Sequence, residues 1–249
     1  MIIPHNWQIP ESIRGRVGTN TYGRQRAIIE DGHLLLILHD KPEPDQDERK
    51  GSLFWRTPEG EWKSSRGGKS IQSLKDFIGE YLNAHEDLEQ AYDEARSAKD
   101  FFRILEIAIP LKRAANHAFE AVQSARESLK DYTDLIEIRD LAYDNERRFD
   151  LLVQDARNAV DFKIAVESEE QADLSKEALL ASHKLNRIAA LFLPLTALTS
   201  VFGMNMDSGL DSGGAALFWF IFGIGAVTGF AMKNWVVKPI PKQDQVPGH

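Results

Sequence analysis

The sequence predicts a mainly α-helical membrane protein. It reads as a small β-rich N-terminal region, a helical bundle with one long stalk helix, and two transmembrane helices near the C-terminus. Three observations predict this. Two runs carry no charged residue, Ile188 to Met206 and Ser212 to Met232. The 21 residues of the second run would span about 31 Å as a helix, close to the hydrocarbon thickness of a bilayer. Between Leu135 and Pro194 apolar residues recur at helical spacing without a proline or glycine. That pattern predicts one helix running on to Phe202, roughly 100 Å long. Finally, Arg16 to Ser65 carries strand patterns broken by turn signals.

Each element follows from its own residues. Residues 1 to about 15 give little signal. Arg26 to Glu30, then Asp31-Gly32, then His33 to Asp40 predicts a hairpin, because Asp-Gly suits a turn with positive φ. Leu53 to Arg56, then Thr57-Pro58-Glu59-Gly60, then Glu61-Trp62-Lys63 predicts a second hairpin. The proline-bearing stretch Lys41 to Asp47 is a loop between them. A sheet of about four strands is too small to stand alone, so a helix or a neighbouring subunit is expected against one face. From Ile71 onward the pattern is helical, with Phe77, Tyr81, Leu88, Ala91, Tyr92 and Ala95 on one face. Pro110 predicts a kink or break, since it removes a helical N–H, and helix then resumes to Leu129. A turn near Asp131 to Asp134 precedes the long helix. The expected organisation is 1–70 β-rich, 71–184 helical domain and stalk, 185–206 first span, 207–211 loop, 212–233 second span and 234–249 basic tail.

Composition narrows the function. The chain has 249 residues, no cysteine and a net charge of −8. Thiolate metal sites, disulfides and thiol catalysis are excluded, and the acidic balance argues against nucleic acid as a partner. The N-terminus lacks the basic region and apolar core of a signal peptide, so the N-terminal part is expected in the cytoplasm. Lys176, Lys184 and Arg187 precede the first uncharged run, and Lys233, Lys238 and Lys242 follow the second. The connecting loop carries Asp207 and Asp211 and no Lys or Arg. This asymmetry predicts both termini on the cytoplasmic side of the membrane and the loop outside.

Few motifs suggest chemistry. Gly67-Gly68-Lys69-Ser70 looks like the end of a P-loop, but Lys63 stands where its first glycine belongs. The seven histidines show no metal-ligand spacing. No Ser/His/Asp grouping is visible, and no enzyme is expected. Residues 70–180 contain 25 Asp plus Glu against 14 Lys plus Arg. Most of these carboxylates read as a solvated helical face. The sharper reading is that some meet across subunits, where a divalent cation relieves their repulsion.

The series Phe192-Leu193-Pro194-Leu195-Thr196, Gly203-Met204-Asn205, Asp207, second apolar run and basic tail resembles the CorA family of magnesium transporters. The resemblance runs from about Phe101 to the C-terminus and is absent from the first 70 residues. It implies a homopentameric funnel in the inner membrane, with the first span lining a pore and Mg2+ as the ion carried. No organic cofactor is implied. Gly203, Met204 and Asn205 would form the selectivity filter. Magnesium gives up its water reluctantly, so a ring of neutral amides can recognise the hydrated ion. Taken alone, Gly-Met-Asn reads first as a helix-ending turn, and the full series of motifs reverses that reading. Ser182, Leu185, Ala189, Leu193, Thr196 and Ser200 make one helical stripe, which the resemblance assigns to the pore lining. There Thr196 would be a second water-mediated ion site, and Leu193 and Leu185 a dewetting constriction. The alternative for this stripe is helix packing. Asp207 and Asp211 would concentrate cations at the mouth, or simply be loop residues.

Two departures stand out. The family's inner asparagine ring falls on Leu179, and one acidic sensing position falls on Ser168. Asp144 aligns with another such position, and Glu167, Glu169 and Glu170 flank the serine. These four are the candidates for a regulatory magnesium site. Other readings remain open at this stage: a zinc, nickel or cobalt transporter of the same family, a ligand-gated effector pore, or a structural anchor.

Overall fold

The computed structural model describes residues 2–43, 50–68, 71–203 and 214–236. The side chains of 195, 201–203, 214–218, 221 and 232–236 fall outside that description. The chain is mainly helical with a small N-terminal antiparallel sheet. In order, the elements are α1 (Glu11–Arg14), β1 (Arg26–Glu30), β2 (His33–His39), β3 (Gly51–Arg56), β4 (Trp62–Ser64), α2 (Gln72–Glu94), α3 (Ala98–Ser128), α4 (Asp134–Gly203) and α5 (Gly214–Val236). Two compact units result, Met1–Val166 and Glu167–His249.

The four strands form a meander in sequence order, every pair antiparallel. The first hairpin turns at Asp31-Gly32, with φ of +49° and +75°, so the Asp-Gly pair adopts the positive-φ turn its residues favour. Strand alternation then divides the side chains of β2. Leu34, Leu36 and Leu38 join Phe54 and Trp62 in the core shared with α2, α3 and α4. Leu35 and Ile37 point the other way, to Ile28, Leu53 and Trp55, as the period of two demands.

The expected helices cover one face of the sheet, and the cover goes further. The sheet is covered on both faces, and the second cover is the N-terminal segment whose sequence gave so little signal. Ile3, Trp7, Ile9, Ile13 and Val17 are buried against the sheet, and Trp7 lies 5.8 Å from Trp55, centroid to centroid. The segment is mostly irregular, so no period marks it in the sequence. Its apolar residues take their places one by one from the surface beneath them.

A correction concerns Pro110, where no break occurs and helix α3 runs straight on. Pro110 and Glu106 are both exposed, whereas Ile104, Leu105, Ala108 and Leu111 are buried. The carbonyl that loses its N–H partner therefore faces water, and the buried face holds the helix together. The break lies earlier, at Ala95 to Ser97, where Ala95 turns extended (φ −64°, ψ 136°). Ser97 caps α3. Its Oγ accepts from Asp100 N at 3.3 Å, and Asp100 Oδ2 accepts from Ser97 N at 2.9 Å and Arg96 N at 3.2 Å. This is a capping box, with Asp in place of the usual Glu.

The three long helices of the first unit are tied by specific contacts as well as by apolar packing. Buried Asn145 of α4 donates from Nδ2 to Ile78 O of α2 at 2.8 Å. Buried Tyr81 donates to His39 O at 2.9 Å, binding α2 to the sheet, and burial pushes its phenol pKa up. Lys75 pairs with Glu137, and Lys112 with Asp150. After the turn at 129–133, α4 buries Leu135, Ile138, Ala142, Phe149, Leu152, Val153, Ala156 and Val160. It then continues without interruption through Pro194.

Among the described residues no helix is long and apolar enough to cross a membrane. The expected spans 185–206 and 212–233 are described only in part, and the loop 207–211 and the tail beyond 236 lie outside the described residues.

The capping box yields a pH prediction. Hydrogen bonds from the Ser97 hydroxyl, then from the Ser97 and Arg96 N–H groups, hold the Asp100 carboxyl below the usual range. A depressed folded-state pKa contributes stability that is present above the unfolded value and lost as pH falls through the folded one. Thermal unfolding of the full chain is therefore expected to show an acid-sensitive component that Asp100→Asn removes. Ser97→Ala should cost about 1 kcal/mol at neutral pH.

Candidate functional site

All six residues of the predicted stripe lie on α4, and the second unit contains them all. Ser182, Leu185, Leu193, Thr196 and Ser200 are exposed on the chain and Ala189 is half-buried. Leu185 and Leu193 are 66% and 65% exposed. By contrast Ala190, next to the stripe, is buried. Among the described residues the stripe is thus not the face by which α4 meets α5.

The hydroxyl groups on this stretch have a defined orientation. Thr196 Oγ1 donates to Phe192 O at 2.8 Å, one turn back, and Thr199 Oγ1 donates to Thr196 O at 3.0 Å. With its O–H committed to the backbone, the Thr196 oxygen has lone pairs left for an outside partner. Such an oxygen can accept from the water shell of a cation. Leu193 lies three residues below it and Leu185 eight below that. On a helix the two leucines project from nearly one face, about 12 Å apart.

Gly203 is the last residue of α4. Met204, Asn205, Asp207 and Asp211 lie outside the described residues, so the filter and mouth assignments are not brought together here.

The acidic candidates are placed but not assembled. Asp144 accepts from Arg148 Nε at 2.7 Å, one turn along α4. That hydrogen bond and charge, with Glu89 and Glu86 of α2 adding to them, raise the Arg148 pKa. Glu167, Glu169 and Glu170 are exposed on α4. Among the described residues no three His, Cys, Asp or Glu side chains gather as a metal ion requires. Asp144 therefore faces a cation of its own chain, and a metal there would have to compete with it.

The weaker sequence signals resolve into structure. Gly67 and Gly68 adopt φ of +95° and +89° in the turn before α2, and Lys69 and Ser70 lie outside the described residues. His39 Nε2 sits 2.8 Å from Gly23 O, and His33 Nδ1 accepts from Trp55 Nε1 at 3.3 Å. Buried His85 packs edge-on to Phe149. One feature of this region went unread in the sequence. Gly225 and Gly229, four apart on α5, are both buried. The signal was there, because Gly-x-x-x-Gly in an apolar helix marks close backbone packing.

No protein-family model and no curated protein matches the chain. Among solved structures it is similar to the complete structure of a CorA magnesium transporter from Methanocaldococcus jannaschii, at 14% identity and a TM-score of 0.46. That likeness covers 88% of this chain and 80% of the other. It is also similar to the full-length CmaX protein, at 14% identity and a TM-score of 0.39, covering 83% of this chain and 78% of the other. Likenesses this distant fix neither ligand nor assembly.

The exposed leucines allow a direct test. If the stripe lines a pore in an assembly, a polar side chain at Leu185 should wet a constriction and raise ion leak while leaving assembly unchanged. If Leu185 instead packs between helices of an assembly, the same change buries a polar group without a partner and weakens the oligomer. Leu185→Asn is expected to raise flux with the oligomer intact. Lost flux together with a weakened oligomer would exclude the constriction.

Proposed function

We propose that this chain is one subunit of a homo-oligomeric divalent-cation channel or transporter of the cell (inner) membrane, most simply a pentamer that carries magnesium inward. The carrying observation is the surface of the second unit. On α4 it exposes Leu185, Ile188, Phe192 and Leu193. On α5 it exposes Trp219, Phe220, Phe222, Ile224, Val227 and Phe230. Apolar surface of this extent needs lipid or other subunits to cover it. The hydroxyl-and-leucine stripe on the same stretch of α4 is the part suited to an ion path.

In this reading the stripe from Ser182 to Ser200 faces the axis, and Gly203-Met204-Asn205 closes its outer end as the filter. Asn205 amides select the ion with its water attached. Asp207 and Asp211 draw cations to the mouth. Loop-charge asymmetry places both termini in the cytoplasm. Inward movement needs no ATP, because the membrane potential favours a divalent ion by about 4.6 kcal/mol per 100 mV, twice the single-charge value. Asp144, Glu167, Glu169 and Glu170 would take a regulatory magnesium where subunits meet, since among the described residues no three carboxylates or histidines of one chain gather as a site.

The test is purified protein in liposomes loaded with a fluorescent magnesium indicator, with native mass spectrometry of the same sample. The parent is expected to conduct magnesium as a pentamer. Asn205→Ala should abolish flux and keep the pentamer. Normal flux in a correctly assembled Asn205→Ala protein would remove this residue from the filter. Absence of flux in the parent, or a stable monomer or dimer, would overturn the proposal itself.

A further inference from the structure

The contact between α5 and α4 has a specific location. A Cβ added at Gly229 would lie 2.9 Å from Leu191 O, 3.4 Å from Leu191 Cα and 3.6 Å from Ala190 O. The backbones therefore meet at this point, and any side chain on Gly229 would force them apart. Gly223, on the same helix, has open space at its Cβ position. Ala190 is buried at the contact, so both helices present their smallest residues here.

The turn that Gly229 touches is also the one weakened by Pro194. Proline has no N–H, so the Ala190 carbonyl lacks its helical donor four residues on, although α4 continues to Gly203. An unpaired carbonyl in apolar surroundings is costly. A glycine approaching this closely brings Cα–H groups to that turn, weak donors that backbone packing of this kind commonly uses. The helix segment beyond the weak turn carries Thr196 and Ser200, and then Gly203.

We infer that Gly229 is a positioning residue, the seat on which the Pro194 turn of α4 rests, and that it sets the rotation of Thr196 and Ser200 beyond that turn. This rests on the conduction reading above. In that reading, α5 has a task besides spanning: it fixes the orientation of the outer part of the pore helix. A Cβ at Gly229 shifts α4 at its weakest turn and rotates the stripe away from the axis.

The chain has no cysteine, so Ser200→Cys supplies a single reporter thiol in the full-length protein. Its maleimide labelling rate in liposomes is measured in three backgrounds, parent, Gly223→Ala and Gly229→Ala, together with magnesium flux and native mass. Gly229→Ala is expected to change the labelling rate several-fold and to reduce flux several-fold with the assembly retained. Gly223→Ala should alter neither. Labelling and flux in Gly229→Ala equal to those in Gly223→Ala would overturn the inference. Loss of assembly in Gly229→Ala would overturn it as well, because the residue would then be holding the fold rather than orienting the stripe. Pro194→Ala restores the N–H for Ala190 O and stiffens the turn, so in that background Gly229→Ala should change labelling less than it does with Pro194 present; an undiminished change would separate the contact from the proline and sink the argument. Labelling does not depend on conduction, so a silent parent would defeat the conduction reading while Gly229 is still judged by its thiol.

Discussion

The burial of α4 between 135 and 160 is the constraint on which the rest depends. In that stretch Phe149, Leu135 and Ile138 are fully enclosed, and Asn145 is hydrogen-bonded to α2. A helix anchored so firmly at one end can continue without a bundle around it. Its nucleation cost has already been met, and each further residue adds a hydrogen bond. That accounts for a 70-residue helix whose latter part exposes Leu174, Leu179, Leu180, Leu185 and Ile188. Among the described residues these side chains join neither buried core cluster.

The N-terminal sheet serves this anchor. Its strand β2 is buried on both faces, and Tyr81 and Phe77 of α2 pack against the sheet through His39 O of β2 and Phe54 of β3. The cover on the far side, Trp7 against Trp55, completes a layer that four short strands could not sustain alone. Arg56 adds to this layer by lying 3.4 Å from the centroid of the Tyr132 ring. That cation–π contact ties β3 to the turn before α4. Sheet, α2 and the start of α4 are thus one interlocked body.

The proline positions show how the same residue acts differently by context. Pro110 leaves a carbonyl facing water and has little effect on α3. Pro194 leaves one at the turn where α5 arrives, beside a glycine. The consequence of a missing N–H is decided by what surrounds the freed oxygen.

Much of the fold was legible in the residues because the relevant signals are local. Both hairpins, the Asp31-Gly32 turn, the turn before Asp134 and the unbroken course of α4 follow from spacing and turn chemistry. The stripe from Ser182 to Ser200 follows from helical spacing alone. Three matters were decided by tertiary structure. The N-terminal segment acquires its place from the sheet beneath it, since irregular chain has no period to read. Pro110 is tolerated because the face it occupies is solvated, and only packing decides which face that is. The seating of Gly229 on the Ala190 turn depends on helix approach, which a linear order of residues does not contain.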